Sequence, residues 1–125
     1  MSNKSVVETY IEGFRRTDHA MILGCLADDV EWVLHGYKTL RGKAAFDGEI
    51  ENDAAEGSPT LVIDKLVEED DTVVAVGHGT FTLKAAGPVD FVFSEVFTFV
   101  DGLVSRLETY HINLGGVGSL GETVV

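Results

Sequence analysis

Residues 89–114 read VDFVFSEVFTFVDGLVSRLETYHINL, two strand-like runs on either side of Asp101-Gly102. Valine, phenylalanine, isoleucine, tyrosine and threonine favour strands, and Asp-Gly between two such runs is a strong hairpin signal. Alternation along the first run puts Phe91, Phe93, Glu95, Phe97 and Phe99 on one face and Val92, Ser94, Val96, Thr98 and Val100 on the other. Both faces are mostly apolar, so one is expected to meet helices and the other a partner sheet. A carboxylate buried without a partner is costly enough that it usually takes up a proton. Glu95 is therefore read as a neutral acid and hydrogen-bond donor. The alternative is a glutamate at the edge of the core, reaching solvent or a helix N-terminus.

The register of the hairpin decides what faces Glu95. A two-residue Asp101-Gly102 turn sets it opposite Glu108 and brings Arg106 onto its face. A three-residue loop, Val100 to Gly102, sets it opposite Leu107 and places Ser105, Leu107, Thr109 and His111 on the Glu95 face. The second is preferred, because burying Arg106 and Glu108 demands more partners than the sequence offers.

Upstream, Thr60–Val67 and Thr72–Ala85 continue the β texture after Gly57-Ser58-Pro59. The first half is helical. Ser5-Val6-Val7-Glu8 has capping-box spacing, and Val7, Tyr10, Ile11 and Phe14 form one face of a helix ending near Arg16. Asp18 can cap a shorter helix through about Leu26, Val30–His35 is strand-like, and a third helix is expected from Lys43 to about Ala55, with Phe46 and Ile50 on one side. Helices followed by a meander of strands predict an α+β domain, helices on one face of a mainly antiparallel sheet. The glycine-rich residues 115–125 are expected to be a flexible tail.

The chain has 125 residues, room for one domain. Its formal net charge of −12 repels phosphate backbones and anionic lipid, which argues against nucleic-acid and membrane partners. No apolar run approaches the roughly 20 residues of a membrane span, and MSNKSVVETY lacks an apolar signal region. The single cysteine, Cys25, cannot form an internal disulfide and sits in an apolar run as a small core residue, which fits the cytoplasm. The four histidines, His19, His35, His78 and His111, are scattered, with no HExxH or CxxC spacing, so neither a metal nor a cofactor is expected. Nucleotide-binding and serine-nucleophile motifs are absent as well.

The stretch VVETYIEGFRRTDHAMILGCLADDVEWVLHG, the RGKAAF after it and FTFVDGLVSRLETYHI resemble the SnoaL-like proteins of the nuclear transport factor 2 (NTF2-like) superfamily, and among them the ketosteroid isomerases. The resemblance covers about residues 5–114. It implies a conical fold, a curved sheet and three N-terminal helices enclosing a pocket, and a scaffold that carries many reactions. It implies that Tyr10 donates to a substrate oxyanion and that Glu95 stands where isomerases keep a protonated aspartic acid for the same task. It also implies a general base at the position of Leu34, and leucine cannot accept a proton. His35, one residue on, could serve if a bend turned it inward; its plain reading is a rim or loop histidine. His111 is a second candidate, or a partner of Glu95. Hairpin parity leaves open which way His78 faces.

The expected site thus has Tyr10, Glu95, His35 and His111 as catalytic candidates, with Phe14, Trp32, Leu34, Phe46, Phe93, Phe97, Leu107 and Thr109 around a small apolar molecule. Trp32 and Tyr37 are read as wall or core aromatics. The expected chemistry is cofactor-independent proton transfer with oxyanion stabilisation, an isomerisation, cyclisation or dehydration of a carbonyl- or hydroxyl-bearing substrate. The competing reading is a small-ligand-binding module without turnover. A protein–protein adaptor would instead have a filled cone. Pairing through the outer sheet face is common in the superfamily, and the row Val92, Val96 and Val100 supports a homodimer.

Overall fold

The computed structural model describes residues 2–114, so the expected flexible tail over 115–125 lies outside the described residues. Helix α1 runs Asn3–Arg16 and α2 His19–Leu23, followed by strands β1 (Leu26–Leu34) and β2 (Lys38–Arg41), helix α3 (Lys43–Ile50), and strands β3 (Ala55–Glu69), β4 (Thr72–Leu83), β5 (Gly87–Val100) and β6 (Leu103–Asn113). The α+β architecture matches the expectation, with corrections at element ends. Ser2, not Ser5, caps α1: its hydroxyl accepts from the Ser5 amide at 3.2 Å, while Ser5 Oγ donates to the Ser2 carbonyl at 2.8 Å. Asp18 caps α2 through the Met21 amide. That helix stops at Leu23 because the chain turns at Gly24 and pairs with β6 from Leu26 onward. α3 also ends early, since Glu51 is extended and Ala55 already belongs to β3. β2, four residues long and largely exposed, has no apolar alternation to betray it.

The six strands form one open, curved sheet in the order β2-β1-β6-β5-β4-β3. Every pairing is antiparallel except β1 with β6, which is parallel. The preferred three-residue loop is not what joins β5 to β6. Val100 pairs with Leu103, leaving a two-residue Asp101-Gly102 turn with both φ angles positive, 52° and 79°. Such a turn matches the twist of the flanking strands. One residue is then absorbed in a bulge: Phe99 pairs with Val104 and Thr98 with Arg106. Ser105, the extra residue, donates its hydroxyl to the Thr98 carbonyl at 3.2 Å. Glu95 consequently stands opposite Thr109, rather than Leu107 or Glu108. Leu107, Thr109 and His111 share its face, while Arg106 and Glu108 lie on the other side.

Gly77 and Gly79 face Phe93 and Phe91 across the β4–β5 ladder. A Cβ on Gly77 would run into the Val62 carbonyl and come within 2.7 Å of Phe93 Cζ. The missing side chains leave room for the two rings to lie against the strand, and with the β3 bulge at Ile63/Lys65 they let the sheet bend. The core lies between helices and sheet. Val7, Tyr10 and Ile11 of α1, Ile22 of α2 and Phe46 of α3 meet Val30, Trp32, Val73, Phe97, Val104 and Leu107 from the strands. Trp32 stacks on Phe46 with ring centroids 4.1 Å apart, and Phe97 meets Tyr10 edge-on at 5.2 Å. Buried aromatics of this size contribute about 1.5–3 kcal/mol each. Cys25 is free and buried, and burial pushes its thiol up. Among the described residues, no helix is long and apolar enough to cross a membrane.

Candidate functional site

A cavity of about 640 Å³ opens between α1, the segment after α3 and the helix-facing side of the sheet. Tyr10 and Phe14 of α1, Trp32 and Leu34 of β1, Phe93 and Glu95 of β5, and Thr109 and His111 of β6 all line it. Phe46, Phe97 and Leu107, expected to touch a ligand, are instead fully buried in the core and do not border the cavity. Other wall residues are less legible in sequence. Glu51 and Asn52 lie where α3 was expected to continue, and Phe81, Phe91 and Asn113 reach the cavity because of strand register.

Glu95 is 8% exposed and meets no cation among the described residues. Its Oε2 accepts from the Thr109 hydroxyl at 2.7 Å, and Thr109 Oγ1 in turn accepts from Trp32 Nε1 at 2.9 Å. No hydrogen bond from the described residues engages its second oxygen, Oε1. Burial pushes its pKa from the usual 4.5 to about 7, against the pull of the Thr109 hydrogen bond, which favours the anion. A carboxyl group held up in this way keeps its proton more readily than an exposed glutamate and can offer it to a neighbouring acceptor.

Tyr10 is 1% exposed, and its hydroxyl finds no hydrogen-bond partner among the described residues. Burial first, then the charge of Glu95, raises its pKa well above 10. An unpartnered buried hydroxyl is costly, about 1–3 kcal/mol, and such groups in folded proteins call for an explanation. Tyr10 packs against Phe14, Phe46 and Phe97, which hold the ring in place.

The histidines divide. His35 borders the cavity, yet its ring turns outward, as regular alternation after Leu34 dictates: it stacks on Tyr110 at 4.3 Å, and Nε2 lies 3.2 Å from Glu108 Oε1. Tyr110 and Glu108 are on the sheet face opposite Thr109, so the inward bend that would make His35 a base for Glu95 does not occur. His111 faces the cavity, stacked on Phe91 at 4.5 Å, with Nε2 2.7 Å from Asn113 Oδ1. It is not hydrogen-bonded to Glu95. His78 points to the outer face, 2.8 Å from Asp64 Oδ2. His19, which suggests nothing in sequence, sits between Asp47 Oδ1 at 2.5 Å and Glu51 Oε2 at 2.6 Å and joins α2 to α3. Among the described residues no three His, Cys, Asp or Glu side chains are grouped as a metal ion requires.

The fold is shared with solved proteins. A Burkholderia pseudomallei NTF2-like protein of unknown function is 24% identical, with a TM-score of 0.81 over 90% of this chain and 92% of that one. An epoxide hydrolase from Mycobacterium tuberculosis, described as LEH-like, is 16% identical, with a TM-score of 0.76 over 88% and 82% of the two chains. TerC, co-crystallised with polyporic acid, is 24% identical, with a TM-score of 0.76 over 96% and 95%. No curated protein matches the chain. The sequence model of the SnoaL-like domain matches residues 7–107, a span that runs from the apolar face of α1 to Leu107 in β6 and encloses Tyr10, Trp32, Leu34 and Glu95. This chain is thus a member of the SnoaL-like domain family, built on the NTF2-like fold.

Proposed function

We propose that the cavity receives a small, largely apolar molecule carrying a carbonyl or hydroxyl oxygen, and that Glu95 presents its proton to that oxygen. The supporting observation is a buried carboxyl group, its second oxygen engaged by no hydrogen bond from the described residues, set in an aromatic cavity wall where burial favours its protonated form. A preorganised donor in such a site acts where charge develops on a reacting oxygen, the requirement of an isomerisation, cyclisation or dehydration. Tyr10 is the second donor in this reading, its hydroxyl without a hydrogen-bond partner among the described residues. His111 is the histidine on the cavity side that can move a proton. The epoxide hydrolase and the polyporic acid complex among proteins of this fold are compatible with small-molecule chemistry.

A second reading, ligand binding without turnover, draws support from Leu34, which lines the cavity where the family resemblance implies the base. The two separate in one experiment. Trp32 is the only tryptophan and borders the cavity, so its fluorescence reports occupancy. Substituted naphthols and β,γ-unsaturated cyclic ketones are titrated against it while isomerisation is followed by absorbance. Quenching that weakens in Glu95→Ala, with turnover, supports the enzyme; quenching without turnover supports the binder; no quenching with any member sinks both. The outer sheet face, where Val62, Val76, Val100, Tyr110 and Ile112 are exposed, is proposed to pair with a second copy. Equilibrium sedimentation of the wild type and of Ile112→Glu tests this: a monomeric wild type refutes it.

A further inference from the structure

The donor side of the Glu95 hydrogen bond is decided by a residue two strands away. An indole N–H can only donate, so Trp32 Nε1, 2.9 Å from Thr109 Oγ1, makes the threonine oxygen an acceptor. A hydroxyl carries one hydrogen. One of its two lone pairs is committed to Trp32, and the one hydrogen bond the hydroxyl donates among the described residues goes to Glu95 Oε2 at 2.7 Å. Oε2 is then an acceptor, and the proton of the neutral acid belongs on Oε1, which no hydrogen bond from the described residues engages. We propose that Trp32 is a positioning residue which, through Thr109, keeps the Glu95 proton on Oε1 and so makes the site select ligands that offer a hydrogen-bond acceptor. This rests on the reading of the cavity as a ligand site only for its consequence; the relay is a property of the free protein.

Packing favours a fixed relay. Trp32 is held in one plane by its stack on Phe46 and is buried, as is Thr109. The parallel pairing of β1 with β6 sets Trp32 beside Leu107 and Leu34 beside Thr109, which lets the indole reach along its neighbour strand. The other titratable groups of the cavity are Tyr10 from α1, Glu51 after α3, His35 and Tyr37 after β1, and His111 on β6; none is hydrogen-bonded to Glu95, and β4 contributes only Ala75 opposite it.

The test reads the Glu95 midpoint by carboxyl 13C NMR in unliganded protein. Thr109→Val removes a donor to the anion and raises the midpoint by about one pH unit, and Thr109→Ser restores it. Trp32→Phe keeps the aromatic stack but removes the N–H that fixes the hydroxyl's orientation, so the threonine can turn and accept from the acid, which also raises the midpoint. In the Thr109→Val background it adds nothing, because its effect passes through the hydroxyl. Without any change at position 32, the single indole N–H resonance moves with the Glu95 midpoint in the wild type and stops doing so in Thr109→Val. An additive Trp32→Phe effect, or an indole resonance indifferent to Glu95, overturns the relay. If the relay holds and no ligand quenches Trp32, only the proposed function falls; if the relay fails while acceptor ligands still bind through Glu95, that function stands without it.

Discussion

Replacing Glu95 by glutamine should make the protein more stable in alkaline solution and leave it little changed in acid. The folded chain holds the Glu95 proton up to about pH 7, whereas an unfolded chain releases it near the usual 4.5. Between these values the folded state binds the extra proton, so stability falls as pH rises through the window and, for this group, is flat outside it. At about 1.4 kcal/mol per pH unit the full span costs about 3 kcal/mol, the free energy of holding an anion in the aromatic wall. Glutamine keeps the shape and cannot ionise. Urea unfolding at intervals from pH 4.5 to 8.5 should therefore show the difference between Glu95→Gln and wild type growing by about 3 kcal/mol, equivalent to roughly 10 °C in melting temperature for a domain of this size. The difference between the two proteins cancels the general repulsion of a chain with net charge −12. Parallel pH profiles would refute the argument, for they would mean that Glu95 is solvated in the folded state.

Tyr10→Phe should stabilise the fold by about 1–2 kcal/mol, because it deletes a buried hydroxyl without a partner among the described residues, while weakening any ligand that needs a second donor; denaturant midpoints and Trp32 quenching measure the two sides. Gly77→Ala should cost about 1–3 kcal/mol, read from urea midpoints, since its Cβ would meet the Val62 carbonyl and the Phe93 ring. His19 carries a pKa raised by its hydrogen bonds to Asp47 and Glu51. Its contribution is complete below its ordinary 6.5 and is lost as pH rises through the folded value, so His19→Gln should lower the melting temperature at pH 5.5 and not at pH 9.

Much of the architecture is legible because it is local. The apolar stripe of α1, the Asp18 cap and the four β runs follow from periodicity and capping chemistry, which need no distant partner. The placement of Glu95 on an aromatic face also follows from alternation alone. What faces it does not. Two turn geometries were open, and the true register combines the shorter turn with a bulge at Ser105, a device whose cost is settled by how the rest of β5 and β6 pack. β2 is too short and too exposed to announce itself, and His35 faces outward because β1 keeps an unbroken register with β6 from Glu31 to Leu34.

The amino-acid sequence by itself determined that this chain folds as one α+β layer pair with a carboxyl group among phenylalanines. Periodicity and the transfer cost of apolar side chains suffice for that. Only the tertiary structure decided what that carboxyl group meets. Trp32 and Thr109 are 77 residues apart, and nothing local brings an indole N–H to that hydroxyl; the parallel docking of β1 on β6 does. The same docking puts Leu34 in the cavity wall and leaves His35 at its border with the ring turned toward Tyr110 and Glu108, so Glu95 is left as the buried acid of the site. Burial sets its proton affinity, and neighbours far off in the chain set the direction of its hydrogen bonds.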